Sequence, residues 1–432
     1  MTRHADPELT STSGVARRRT IGEAFSPRSN SLNFLRLAFC LTVIFSHAIT
    51  LGGFGNEWIL GNRTTIAVPT LYGFFCLSGF LIAGSAQKNR VGRYLWQRFL
   101  RIMPGYWACL LVTAFLIGAI GWIEQAHPAS CSIFSCYYFI GHNSPFDYVY
   151  HNFLLGWNQF NIGSTPYGGP VPYFWNNSVW TLLPEVCCYL FLAGLAALRL
   201  LDRRRIVAGL ACGVWLIEAV IAWWGPSNSV YHAFGPFVLP PYLLFGVITL
   251  GPAFMAGAVI YLYRDKIPDS GWLALGFVVV FAAGSWLPYF GDGEIRFSHY
   301  LPGPTSVMAP ALAYPLLWLG IHLPSLFQRV GARNDYSYGV YIYGWPVSQL
   351  LGMWGVQHRG YVVFTASAVA GSAALAVLSW HLVEKRALSL KKLDPRVMLA
   401  FRTRRLTAPG AVVARSEAEQ DPVSGVGGLG GA

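Results

Sequence analysis

The sequence is poor in charge, and poorest in acid. Only 12% of its 432 residues are Asp, Glu, Lys or Arg, where a soluble chain carries about a quarter, and 19 acidic side chains face 31 Lys plus Arg. With 54% hydrophobic and 15% aromatic residues and a mean hydropathy of +0.43, that charge is too little to solvate a globular surface of this size. A soluble enzyme and a disordered regulator are excluded on those grounds, and eight cysteines are too few for a disulfide scaffold. The opening segment lacks the apolar stretch and small-residue cleavage site of a signal peptide, and no internal repeat is visible. What remains is an all-α integral membrane protein.

A helix needs about 20 mostly apolar residues to cross the hydrocarbon core. Runs of that kind lie at 33–53, 66–86, 102–123, 179–201, 206–224, 237–262, 272–290, 305–324, 336–356 and 361–383, so the expectation is a bundle of about ten transmembrane helices. Placing the N-terminus in the cytoplasm leaves only Arg63, Arg296 and Arg359 outside, out of 31 basic residues. Basic residues concentrate in cytoplasmic loops, so both termini are expected there. The net charge of +12 is then explained by topology and anionic lipid, with no nucleic acid partner.

Residues 1–30 and 391–432 are polar or basic and lack an apolar period, which predicts disordered cytoplasmic tails around a membrane domain at 31–390. The long non-spanning stretch, about 124–178, falls outside and is rich in aromatics, Pro, Gly and Asn. Cys131 and Cys136 share it, in what is expected to be an oxidising compartment. A short disulfide is therefore expected there, and no third ligand stands at zinc spacing. The other six cysteines, Cys40, Cys76, Cys109, Cys187, Cys188 and Cys212, fall inside apolar runs as small packing residues.

Ionisable groups inside a bilayer are costly and mark function by default. Arg36 and His47 on the first run, Glu185 on the fourth and Glu218 on the fifth qualify, with His322, Asp335 and His381 near helix ends. At 1.5 Å per residue, His47 and Glu185 each lie about 9 Å from the outer interface, a depth at which they can meet. Glu218 matches that depth too, so depth alone does not choose between the carboxylates. Arg36, eleven residues before His47, falls about 16.5 Å away near the cytoplasmic mouth.

The residues around these positions form recognisable motifs. Leu32 to His47 (LNFLRLAFCLTVIFSH) carries Arg, ten residues, then His; Phe74 to Ile82 reads FFCLSGFLI and Arg98 to Tyr106 reads RFLRIMPGY. Trp180 to Glu185 (WTLLPE), Ser337 to Pro346 (SYGVYIYGWP) and Val383 to Lys385 follow in order. Together they resemble the bacterial membrane acyltransferase 3 family, which O-acylates surface polysaccharides and related acceptors, over residues 30 to 390. Two departures stand out: Gly344 replaces a His frequent before the late Trp-Pro, and the extracytoplasmic esterase-like domain of some members is not seen. A final transfer by a soluble partner would therefore be encoded elsewhere.

The resemblance implies transfer of an acyl group, most often acetyl, from cytoplasmic acyl-CoA to a hydroxyl of a carbohydrate or glycolipid at the outer face of the bacterial inner membrane. No bound cofactor or metal is expected, since acyl-CoA is the donor substrate. Arg36, Arg98 and Arg101 are the expected contacts for its phosphates, which suit the guanidinium fork. Lys88, Arg90 and Arg93 read more simply as membrane-anchoring charge. His47 is the expected general base, with Glu185 fixing its tautomer, although an acyl-His intermediate is an equally open route. Ser78, Tyr106 and Thr181 are supporting hydrogen-bonding positions, and Glu218 is a second carboxylate without a motif around it. Trp175, Trp180 and Tyr173 at the outer rim would stack on a sugar or belong to the interfacial aromatic belt. A proton-coupled transporter or flippase is the competing reading; Pro240 and Pro241 in the sixth run favour it, but no matching break appears in the other half.

Overall fold

The computed structural model describes residues 19–59, 64–125, 131–139, 143–168, 171–224, 241–287 and 303–392. The architecture is all-α, and the only regular strands among the described residues are a two-residue antiparallel pair, β1 (Trp58–Ile59) and β2 (Thr64–Thr65). The apolar runs become helices α1 (Leu32–Leu51), α2 (Ala67–Lys88) and α3 (Val91–Ile123). A short helix, α4 (Pro145–Asn152), comes next, in the stretch expected outside. It is followed by α5 (Ser178–Ala197), α6 (Arg204–Trp224), α7 (Pro241–Tyr263), α8 (Gly271–Gly284), α9 (Pro304–His322), α10 (Ser337–Met353) and α11 (Tyr361–Ser389). Among the described residues, eight of these are long and apolar enough to cross a membrane. The two other runs from the sequence correspond to α8, of 14 residues, and α10, of 17.

Helices α2 and α7 cross at the centre, and two glycines let them touch. A Cβ on Gly79 would stand 1.8 Å from the Phe254 carbonyl oxygen, and one on Gly257 would stand 1.9 Å from that of Cys76. Small residues at such crossings bring backbones together where lipid offers no hydrophobic drive between helices. The contact fixes α2, which carries Leu71, Phe74 and Ser78.

The described residues of the stretch expected outside are docked on α3. Thr113–Ile117 of α3 forms a π turn, a geometry that loosens the regular ladder of carbonyl bonds. Tyr137 donates its hydroxyl to Ala114 O at 2.6 Å, and Tyr138 donates to Phe115 O at 3.1 Å. Both tyrosines lie on a one-turn segment, Ile133–Phe139, where a disulfide joins Cys131 to Cys136.

Some residues assigned to each expected tail lie within the described structure. Residues 19–30 are ordered: Thr20 and Glu23 make a reciprocal capping box, Ile21 is fully buried, and Ile21 N–H donates to Ile267 O at 2.9 Å. At the other end Leu390–Lys392 form a 3₁₀ turn against α3. An isolated buried isoleucine and one turn after a long helix are too short to register as an apolar period. Residues 1–18 and 393–432, and the positions of Arg63, Pro240 and Arg296, lie outside the described residues.

Candidate active site

Helix α1 sets the site's axis. An eleven-residue step is about three helical turns, so Arg36 and His47 lie on nearly one face, about 16.5 Å apart along the axis. Each lines a different cavity, and a third, smaller space shares lining residues with both.

The cavity at the Arg36 end, called inner after the expected topology, is about 250 Å³ and is lined by Arg36, Arg98, Arg101, Asp335 and Lys391, with Ser78 and Tyr189 on its wall. One oxygen of Asp335 accepts from Arg36 at 2.8 Å and from Arg101 at 2.5 Å, while the other accepts from the Ser337 hydroxyl at 2.5 Å. Burial alone would raise this carboxyl, but the two guanidinium groups and the Ser337 hydrogen bonds hold it well below the ordinary range. Arg98 makes no ion pair among the described residues; its buried Nε lacks a hydrogen-bond partner, and its guanidinium carbon stands 6.0 Å from the Tyr189 ring centre. Burial, with repulsion from Arg101 and Arg98, pushes the Lys391 ammonium down to about 8, against the pull of Asp335. The three arginines singled out by sequence therefore meet in one place. Lys391, assigned there to the tail, joins them.

The outer cavity, about 450 Å³, is lined by His47, Glu57, Trp157, Phe174, Trp180 and Trp345 among others. The His47 ring meets the Trp345 ring edge to face at 4.8 Å, and Trp345 is itself held by its indole N–H on Phe174 O at 3.1 Å. Glu57 accepts a short hydrogen bond from Ser46, the residue before His47, and Ser46 Oγ in turn accepts Ala67 N–H at 3.2 Å. Three polar groups thus tie the end of α1 to the start of α2. Of the rim aromatics, Trp180 lines this cavity, whereas Trp175 is fully buried and Tyr173 is exposed.

Between them lies a neck of about 50 Å³, lined by Leu71, Phe74, Ser78, Thr181, Glu185 and Tyr341 with Arg36 at its inner end. Arg36 and Ser78 line both the neck and the inner cavity; Leu71 and Tyr341 line both the neck and the outer cavity. The three spaces follow one another without a break in lining.

His47 and Glu185, expected at one depth, line different cavities. The span of α5 begins at Ser178, so Glu185 is seven residues in, about 10 Å, while His47 is four residues from Leu51, about 6 Å. Glu185 accepts from Ser78 Oγ at 3.3 Å and from Tyr189 by a short bond. The carboxylate in the histidine's own cavity is Glu57, which sequence reading passed over because it lies outside every apolar run. Its position six residues past α1, at the mouth of a helix carrying a half-buried His, was the available signal.

Thr181 hydrogen-bonds Tyr341 at 2.8 Å in the neck wall. Tyr106 lines none of the three cavities and instead donates to Asn152 O at 2.6 Å, anchoring α4. Glu218 is fully buried on α6 and also lines none of them. The closing motif is a packing joint: Glu384, 2% exposed, accepts from Ser379 at 3.1 Å, and Gly105 of α3 sits against it. Gly344, where the resemblance implies His, packs on α1 so closely that a Cβ would approach Ile44 Cγ1 to 2.9 Å.

Residues 29–381 match the family described as Acyltransferase domain. The chain belongs to this acyltransferase family. It is similar to an O-acetyl transferase of Shigella phage Sf6, 26% identical over 365 residues that cover 84% of this chain and 97% of that protein. It is also similar to nodulation protein 10 of Rhizobium leguminosarum bv. viciae, 24% identical over 392 residues, 85% of this chain and 96% of that one. No solved structure matches. Of the two functional classes left open by the sequence, membership selects the enzyme, a multi-pass membrane O-acyltransferase.

Proposed function

We propose that this acyltransferase carries an acyl group, acetyl in the first instance, from cytoplasmic acyl-CoA to a hydroxyl of a carbohydrate or glycolipid at the outer face of the bacterial inner membrane. The fold in this reading has ten spans, α8 and α10 included, with both termini inside. The observation that carries it is the series of three cavities, which joins a cluster of cations at one end to a histidine at the other.

The CoA phosphates bind Arg98 and Lys391, beside the Asp335-held pair Arg36 and Arg101, and the thin pantetheine arm lies along the neck. Its thioester then reaches the His47 cavity, where Trp157, Trp180 and Phe174 offer faces for a sugar ring. His47 takes the proton of the acceptor hydroxyl as the oxygen attacks the thioester carbon; a C–O bond forms, the C–S bond breaks, and the imidazolium returns its proton to the leaving thiolate. Glu185, in the neck beside Arg36, holds Ser78 and Tyr189 along the arm's path.

The test uses purified protein in lipid vesicles with radiolabelled acetyl-CoA and a surface-glycan fraction. Label enters the glycan with the wild type and not with His47→Ala, which still inserts and expresses. No transfer by the wild type, or normal transfer by the variant, overturns the reading.

A further inference from the structure

The neck is the smallest of the three spaces, and we infer that its outer rim, Leu71 and Tyr341, selects acyl groups by width. The inference rests on the acyl-transfer reading above. A cavity needs at least ~10–15 Å³ to hold one water, whose share of liquid volume is about 30 Å³, so the neck of about 50 Å³ has room for only a few atoms at a time. The inner and outer cavities, at about 250 and 450 Å³, are far roomier.

The rim is built not to yield. Tyr341, 8% exposed, is held by its hydroxyl on Thr181 at 2.8 Å. Its ring packs edge to face on Phe74 at 5.9 Å, and Phe74 packs on Phe39 at 5.4 Å. Leu71, 9% exposed, closes the rim from α2, whose position is pinned by the glycine contact with α7. Close-packed walls of this sort do not open for a bulky group without displacing neighbours.

A donor whose phosphates stay on the inner cations must enter the neck acyl end first. A straight acyl chain is no wider than the pantetheine arm behind it, so length alone is not penalised. A branch or ring next to the thioester carbonyl is wider, and such donors bind by their phosphates yet stop below His47. Acetyl and butyryl groups pass; isobutyryl and benzoyl groups do not.

The experiment compares acetyl-, butyryl-, isobutyryl- and benzoyl-CoA, each labelled in the acyl group, with one glycan fraction and protein in lipid vesicles. The expected kcat/KM for the branched and aromatic donors is at least about tenfold below acetyl, the scale on which an apolar wall rejects added bulk. Benzoyl-CoA nonetheless competes with acetyl-CoA at concentrations near the acetyl-CoA KM. In Leu71→Ala the benzoyl to acetyl ratio rises by about tenfold or more. Should that variant fail to insert, Leu71→Val and the wild-type donor series carry the test. Equal use of benzoyl and acetyl donors by the wild type, or an unchanged ratio in a folded Leu71 variant, overturns the width filter while leaving acyl transfer intact. Absence of turnover with every donor overturns the reading on which it rests.

Discussion

Arg101 Nη2 lies 2.5 Å from Asp335 Oδ2, the same oxygen that accepts from Arg36 at 2.8 Å. One carboxylate thus gathers an arginine from α1 and one from α3, and the Arg98 and Lys391 charges are left for an anion. Replacing Asp335 by Asn leaves two guanidinium groups crowded without their counter-charge. The expected loss of stability is below the roughly 3–5 kcal/mol of a fully buried pair, because these side chains keep 15–22% exposure. Thermal unfolding in detergent checks it, and adding Arg101→Gln to Asp335→Asn should restore part of the loss. Since the folded carboxyl is held below its ordinary pKa, its contribution is full above about pH 5 and disappears as pH falls below about 4 toward the lowered value.

Lys391 supplies a pH dependence of opposite sense. Its ammonium, pushed down to about 8 by burial and its arginine neighbours, is charged below that pH and neutral above it. In the free enzyme, kcat/KM for acetyl-CoA should therefore fall as pH rises through about 8, since that ratio reports free-enzyme ionisations. Lys391→Arg should abolish the fall while keeping a cation, and Lys391→Gln should give the high-pH value at every pH. A profile that stays flat between pH 7 and about 9 in the wild type removes Lys391 from donor binding.

Much of this was legible in the sequence because lipid imposes simple rules: each apolar run appears as a helix, and Arg36, Arg98 and Arg101 converge as their motifs imply. The depth arithmetic took both helices to end at one plane; in the structure the span of α5 starts seven residues before Glu185, α1 ends four after His47, and the two residues line different cavities. Glu57 and Lys391 were missed for a shared reason. Each lies just beyond a helix end, where no apolar period extends to mark it.

The crossing of α2 and α7 gives a prediction about folding. A methyl group on Gly79 meets a backbone oxygen of Phe254, which cannot rotate away as a side chain would, so Gly79→Ala must push the helices apart. Overpacking of this kind costs about 1–3 kcal/mol. The variant should unfold at a lower temperature in detergent, and Gly257→Ala should match it. Gly276, with open space around its Cα, is the control: Gly276→Ala should leave the unfolding temperature in place.

Glu57 and Glu185 can be told apart by which substrate each variant handles badly. Glu57 lines the outer cavity with His47, so Glu57→Gln should raise the acceptor KM and leave the donor KM near its wild-type value. Removing a charged hydrogen-bond acceptor is worth about 1.5–3 kcal/mol, so the rise should be about tenfold or more. Glu185 lines the neck beside Arg36 and accepts from Ser78 and Tyr189. Glu185→Gln should therefore lower kcat/KM for acetyl-CoA and spare acceptor affinity. Steady-state kinetics with each substrate varied in turn decides the matter. If Glu185→Gln instead weakens the acceptor and Glu57→Gln does not, the outer site is arranged around the deeper carboxylate. The two cavities would then act as one chamber, with Leu71 and Tyr341 as a moving partition rather than a fixed rim.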